Sequence, residues 1–192
     1  SNLDLNNDGY VDYLRVISLS EGGAHLVCIQ AVLGEDVYQD VATIEVRKEE
    51  SRTPSVIVVG NHYLYGPDYI IRPIYYRPPL IFSFLFAPVY RPWYSPYYWG
   101  YYPHWYKYRR PYAVHRYRNR VHVHINTYNR YERPVVLRHH YHIDLHKRIG
   151  RDDYWKRHPE KSFEKRHPNH KNRHEFEHNR RSERPNVVGQ PG

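Results

Sequence analysis

The sequence predicts a mainly β fold: a small antiparallel meander, then a Tyr/Pro/Trp-rich segment, then a disordered basic tail. Three observations carry this reading. Between residues 11 and 59, runs of β-branched and apolar residues alternate with short polar turns. Between residues 63 and 112, proline recurs at positions 67, 73, 78, 79, 88, 92, 96, 103 and 111 among many tyrosines, a density that excludes long helices and central strands. From residue 151 on, the chain is charged, His-rich and almost free of aliphatic side chains, so it has little with which to offset the entropy of ordering.

The meander follows from the pattern, strand by strand. Residues 11–19 form the first strand, and Ser20, Glu21, Gly22 and Gly23 a turn. Residues 25–33 form a second strand that is nearly continuous in apolar side chains, and Gly34, Glu35 and Asp36 a second turn. Residues 37–46 alternate, with Ala42, Ile44 and Val46 on one face and Thr43 and Glu45 on the other. Residues 56–59 give a fourth strand. Connections this short imply antiparallel neighbours. Such a sheet needs a cover for its apolar face, which the segment after residue 60 or sequence ahead of Ser1 supplies. Residues 70–89 are apolar enough to lie across it. Residues 116–126 alternate again, with Arg116, Arg118, Arg120, His122, His124 and Asn126 on one side, and read as an amphipathic strand with a basic face. The expected segments are 1–62 for the meander, 63–149 for the aromatic and basic part that packs on or extends the sheet, and 150–192 for the tail.

Charge divides the chain in the same way. Residues 1–60 carry a net charge of −6 and residues 61–192 a net charge of +15, within a total of +9. The first part suits a cation and the second suits anions. Cys28 is the single cysteine, so no intrachain disulfide forms, no Cys-based zinc site is expected, and the thiol reads as a small buried hydrophobe. The sequence contains no Met; Ser1 is therefore not a translation start, and a processed product or a fragment is expected. No apolar run approaches the roughly 20 residues of a membrane helix.

Asp4, Asn6 and Asp8 occupy alternate positions, Gly9 follows, Tyr10 offers its carbonyl, and Asp12 comes two residues later. A hard dication such as calcium takes about six to eight oxygen ligands from a short, sharply curved segment. Alternate carboxylates and amides point the same way, and glycine lets the chain turn. Calcium is therefore the expected cofactor, held by Asp4, Asn6, Asp8, the Tyr10 carbonyl and Asp12. Arg15 stands where an EF-hand has its bidentate Glu, which rules out a standard EF-hand. The pattern resembles the calcium loops of FG-GAP repeats in β-propellers and, more loosely, those of dockerins and thrombospondin type 3 repeats. It occurs once and leads straight into a strand, so the resemblance implies a site and not a propeller. Residues 3–16, the run Gln30, Ala31, Val32, Leu33 and Gly34, residues 38–46 and the Tyr/Pro/Trp run are in turn similar to a family of uncharacterised exported proteins from Bacteroidetes-type bacteria. That resemblance implies a periplasmic, envelope or secreted setting and brings no activity with it.

Two further groups have binding chemistry. His122 and His124 form a possible second metal site, and His142 with His146, like His170, His174 and His178, have the spacing that stacks ligands on one helix face. Zinc or another transition metal is the alternative cofactor, although no cysteine or fixed carboxylate completes the set in sequence. Trp93, Trp99 and Trp105 lie among many tyrosines and are followed by Arg109, Arg110, Arg116, Arg118 and Arg120. Aromatic faces stack on sugar rings, and arginines bind acidic groups. Nucleic acid is disfavoured because the basic residues follow none of its motifs; an anionic glycan or a membrane surface is the expected partner. No nucleophile elbow or glycine-rich phosphate loop is present. A non-enzymatic, calcium-binding envelope or structural module is expected first, a His-dependent metal-handling protein second, and a calcium-dependent hydrolase a distant third.

Overall fold

A computed structural model describes residues 1–48, 54–75, 77, 79–124, 130–133 and 140–182. The strands β1 (Tyr13–Glu21), β2 (Ala24–Gly34), β3 (Val37–Arg47), β4 (Ser55–Gly60), β5 (Ile70–Ile74) and β6 (Arg130–Glu132) form one antiparallel sheet in sequence order. The meander lies where alternation and turn chemistry put it. Gly22 and Gly23 join β1 to β2 with φ of 57° and 77°, the left-handed geometry that lets a two-residue hairpin match the twist of its strands. The helices are α1 (His62–Tyr65), α2 (Ile81–Leu85), α3 (Val114–His122), α4 (His140–Ile149), α5 (Asp153–Arg157), α6 (Phe163–Arg166) and α7 (Arg173–Ser182).

Both faces of the sheet are covered. Cross-strand partners share a face, so Leu19, Leu26 and Glu45 form one row, Ile17, Cys28 and Thr43 the next, and Arg15, Gln30 and Asp40 a third. Helix α4 lies on this side, with Leu145 and Ile149 against Ala24 and Leu26. On the opposite side, Ala31, Leu33, Val37 and Val41 pack with Tyr63, Leu64 and Tyr154, and further along Val46 and Val56 pack with Phe82. The cover expected after residue 60 is thus supplied from several places in the later chain. The aromatic segment closes the outer edge of β1: Ser18 N donates to Trp93 O at 2.7 Å, and Ser95 N donates to Val16 O at 3.1 Å. An edge strand left open would be a template for another chain. No helix among the described residues is long and apolar enough to cross a membrane.

Two expectations are corrected. Residues 114–122, within the stretch read as a strand from 116 to 126, form the helix α3; residues 125–129 lie outside the described residues. The alternation is interrupted by Asn119, whereas Val114, Tyr117 and Val121 fall three and four residues apart, the helical repeat. The tail read as disordered from residue 150 is ordered through residue 182, in α5, α6 and α7; residues 183–192 lie outside the described residues. Aromatic anchors take the place of the missing aliphatics. Phe163 is fully buried, Tyr154 nearly so, and one aromatic ring buries as much area as two small aliphatic side chains. Ser162 caps α6 by accepting from Lys165 N.

Candidate functional site

The N-terminal loop is closed by hydrogen bonds from its own backbone to its acidic and amide side chains. Asn6 Oδ1 accepts from Asp8 N at 3.1 Å, Asp8 Oδ1 from Tyr10 N at 2.8 Å, Asp4 Oδ2 from Gly9 N at 3.2 Å, and Asp12 Oδ2 from Leu5 N at 2.7 Å. Asn7 and Gly9 have φ of 58° and 85°, the left-handed steps that curl the chain around its own carboxylates. Asp4 Oδ1 is enclosed with no hydrogen-bond partner. Burial pushes the Asp12 carboxyl up to about 7; the Leu5 N–H opposes this, and the charges of Asp4 and Asp8 add to it. An orphaned buried oxygen among mutually repelling carboxylates fits the demand of a hard dication. Arg15 is remote from this chemistry, buried in the sheet with its guanidinium 3.4 Å from the centre of the Tyr38 ring and its Nε donating to Gln30 Oε1 at 3.0 Å.

The aromatic segment is fastened to this loop. Val11 N donates to Arg109 O at 2.9 Å, Tyr106 Oη donates to Val11 O at 2.9 Å, and Asn2 exchanges two hydrogen bonds with the Tyr112 backbone at 2.7 and 2.9 Å. Arg109 also donates to the Ser1 carbonyl, and the Tyr10 and Tyr108 rings meet edge to face. A cavity of about 410 Å³ lies along this junction, lined by Asp12, Tyr13, Trp105, Tyr106, Lys107 and Arg109 among others. Arg109 Nη1 is buried without a hydrogen-bond partner.

The remaining surface candidates divide. Trp93, Trp99 and Trp105 are 57%, 40% and 65% exposed, so they are not core. Arg110, Arg116, Arg118 and Arg120 are exposed. Helix α3 places Arg116 and Arg120 on one side and Arg118 on the other, and the single basic strand face is not formed. Arg120 and Arg109 lie 4.8 and 4.9 Å from the centre of the Tyr112 ring, which ties α3 to the loop junction. His122 ends α3 and His124 sits in the turn beyond it, both exposed; the strand that would have set them side by side is absent. His170 precedes α7, while His174 is stacked on Tyr69 with ring centres 4.0 Å apart.

A second cluster lies under α4. The spacing that stacks His142 and His146 on one helix face aims both imidazoles at carboxylates of β3. His142 Nδ1 lies 3.5 Å from Glu45 Oε2, and His146 Nε2 lies 2.6 Å from Asp40 Oδ2. Asp40 Oδ1 takes the Cys28 thiol at 3.3 Å, Gln30 Nε2 at 2.8 Å and Arg151 N at 3.1 Å. Burial, with Asp40 beside it, pushes the Cys28 thiol well above its usual range. Ligand atoms of Cys28, Asp40 and His146 all fall within 4.8 Å of one another. Beside them opens a cavity of about 460 Å³, lined by Asp40, Thr43, Asn61, His146, Asp152 and Trp155 among others. The sequence flagged the histidine pair but not its partners. Cys28 and Asp40 are separated from His146 by more than a hundred residues, as the 106-residue gap of the Asp40–His146 bond shows, and neither carries a local motif. The one available signal was a run of polar side chains, Gln39 and Asp40, within an otherwise β-branched strand.

Compared with known proteins, the chain matches no family model, no curated protein and no solved structure.

Proposed function

We propose that this chain is a non-enzymatic, calcium-stabilised binding module that works outside the cytoplasm, in the periplasm, envelope or secreted space, and presents aromatic rings and arginines to an anionic glycan. The observation that carries this is the fastening of the Asp/Asn loop to residues 105–112 around one cavity. Asp4, Asn6, Asp8, Asp12 and the Tyr10 carbonyl would hold calcium. The cation supplies charge neutralisation where three carboxylates crowd, and the loop then fixes the strand of chain that carries Trp105, Tyr106, Lys107 and Arg109. A sugar ring fits against an exposed indole, and an acidic substituent fits the Arg109 guanidinium. Arg116 and Arg120 extend the positive field beyond the cavity. The extracytoplasmic setting rests on the calcium-loop pattern in the sequence.

Binding of a sulfated oligosaccharide in millimolar calcium, followed by tryptophan fluorescence and calorimetry, tests this. Trp105→Ala is expected to weaken binding about tenfold, the scale of one lost stacking contact. Arg116→Ser with Arg120→Ser removes the part of the affinity that falls with added salt. Binding unchanged in both variants contradicts the proposal, as does binding confined to vesicles of anionic phospholipid.

A further inference from the structure

The cluster beneath α4 is built from side chains that the calcium reading does not use. We propose that Cys28, Asp40 and His146 form a transition-metal site of the zinc class, with one coordination position open to the neighbouring cavity. Thiolate, carboxylate and imidazole are the ligand types zinc takes, and three protein ligands with one open position is a common catalytic or exchangeable arrangement. The orientation of Asp40 supports this. Its Oδ1 is held by Gln30 Nε2 and Arg151 N, donors that metal binding leaves in place, so that Oδ2 is aimed at His146 Nε2 and leaves one short contact, of 2.6 Å, for a cation to replace. Outer donors that hold a carboxylate in this way are what orient metal ligands elsewhere. Gly150 supplies an independent observation. A Cβ there would lie 2.9 Å from His146 Nε2, 3.1 Å from Asp40 Oδ2 and 2.8 Å from His146 O. Its φ is not among the positive ones; the close approach of the His146 carbonyl, and next to it of the two ligand atoms, leaves no room for a side chain, so this chain passes directly against the cluster.

Binding releases the thiol proton of Cys28 to solvent, and His146 offers Nε2 as a neutral imidazole with its proton on Nδ1, with no change of oxidation state. The alternative is that the three groups only brace α4 against the sheet as a hydrogen-bonded cluster. The two differ in what a metal does. The reduced full chain, titrated with cobalt(II), is expected to give a thiolate-to-cobalt charge-transfer band. Cys28→Ser abolishes that band, and His146→Gln lowers affinity by at least about tenfold. His142→Gln, one helical turn away and outside the ligand set, keeps the band. The chain carries 15 histidines, so surface binding is the outcome to separate. A cobalt spectrum with nitrogen and oxygen ligands only, or a charge-transfer band that survives Cys28→Ser, overturns the proposal. Should Cys28→Ser fail to fold, zinc X-ray absorption on the wild-type chain decides. A sulfur neighbour at about 2.3 Å supports the site, and its absence overturns it.

Discussion

The face of the sheet beneath α4 and the face beneath Tyr63 and Phe82 both bury side chains, but they differ in how much polar chemistry they enclose. The first buries Arg15, Gln30, Asp40, Thr43 and Glu45. The second buries Ala31, Leu33, Val41, Val46 and Val56 against aromatic rings. An apolar face is held by area and shape and tolerates any side chain of similar volume. A polar one holds only while each donor and acceptor keeps its partner, because a buried group left alone costs its full desolvation. The difference teaches that burial alone does not identify the core of this fold. One face is mainly apolar, with Gln39 and His25 as buried polar members, and the other sets the bonded group of Asp40, Gln30, Cys28 and His146 beside an apolar patch of Leu26 and Leu145.

Substitutions should separate the two faces. The largest effect is expected at Asp40. Asp40→Ala strips Cys28, Gln30, Arg151 N and His146 of their common acceptor and should cost about 3–5 kcal/mol in urea unfolding. Asp40→Asn, which keeps one carbonyl oxygen, should cost less. On the opposite face, Leu64→Ala should cost about 2–5 kcal/mol, but Leu64→Met under about 1.5 kcal/mol, because only volume is at stake there. If Asp40→Leu proves as mild as Leu64→Met, the polar network is not what holds α4.

His25 sharpens the contrast, since it is a titratable group on the apolar side, enclosed with Phe86 and Tyr90 ring centres 4.7 and 5.0 Å away. Burial, and secondarily the charge of His142, lowers its pKa below the usual 6.5. The unfolded chain therefore takes up a proton near that pH that the folded chain refuses. The contribution of His25 is present above about 6.5 and is lost as pH falls through that value toward the lower folded pKa. His174 shifts in the same direction, by burial first. Because the raised Asp12 carboxyl acts in the opposite direction over the same window, the histidine part is read as a difference: between pH 7 and pH 5 the melting temperature of the parent chain should drop relative to that of His25→Phe. An unchanged slope in that variant would assign the acid sensitivity elsewhere. The smallest effect lies at the rim of α4, where Arg148 pairs with Glu21 although both side chains are more than half exposed. Arg148→Ala should change stability by under about 1 kcal/mol, measured in the same unfolding assay.

What could be read in advance follows contact distance along the chain. The four long strands are local patterns, and turn chemistry at Gly22, Gly23 and Asp36 fixes their ends. The loop from Asp4 to Asp12 is also local, so its curl, with Asn7 and Gly9 at positive φ, follows from the Asp/Asn/Gly spacing in the sequence. Helix α3 was misread because Val114, Tyr117 and Val121 satisfy a helical period as well as part of an alternating one, and periodicity does not choose between them without a partner strand. The ordered tail was missed because hydrophobicity was counted in aliphatics, while Tyr154, Trp155 and Phe163 do the packing. The Cys28–Asp40–His146 cluster was invisible for another reason. Its members meet only after β2, β3 and α4 have been brought together, and no spacing in the sequence encodes that meeting.

Hydrogen exchange with calcium and with chelator tests the central claim most directly, that a cation in the loop fixes the aromatic segment. A ligand at 100 times its Kd stabilises the state that binds it by about 2.7 kcal/mol. Amides of residues 2–12 and of residues 105–112 should gain protection together in calcium, including Val11 and Tyr112, whose N–H groups bridge the two segments. Asp8→Ala should remove the gain in both, while β2 and α4 exchange alike in either condition. No change on adding calcium, or protection confined to residues 4–12, would contradict it.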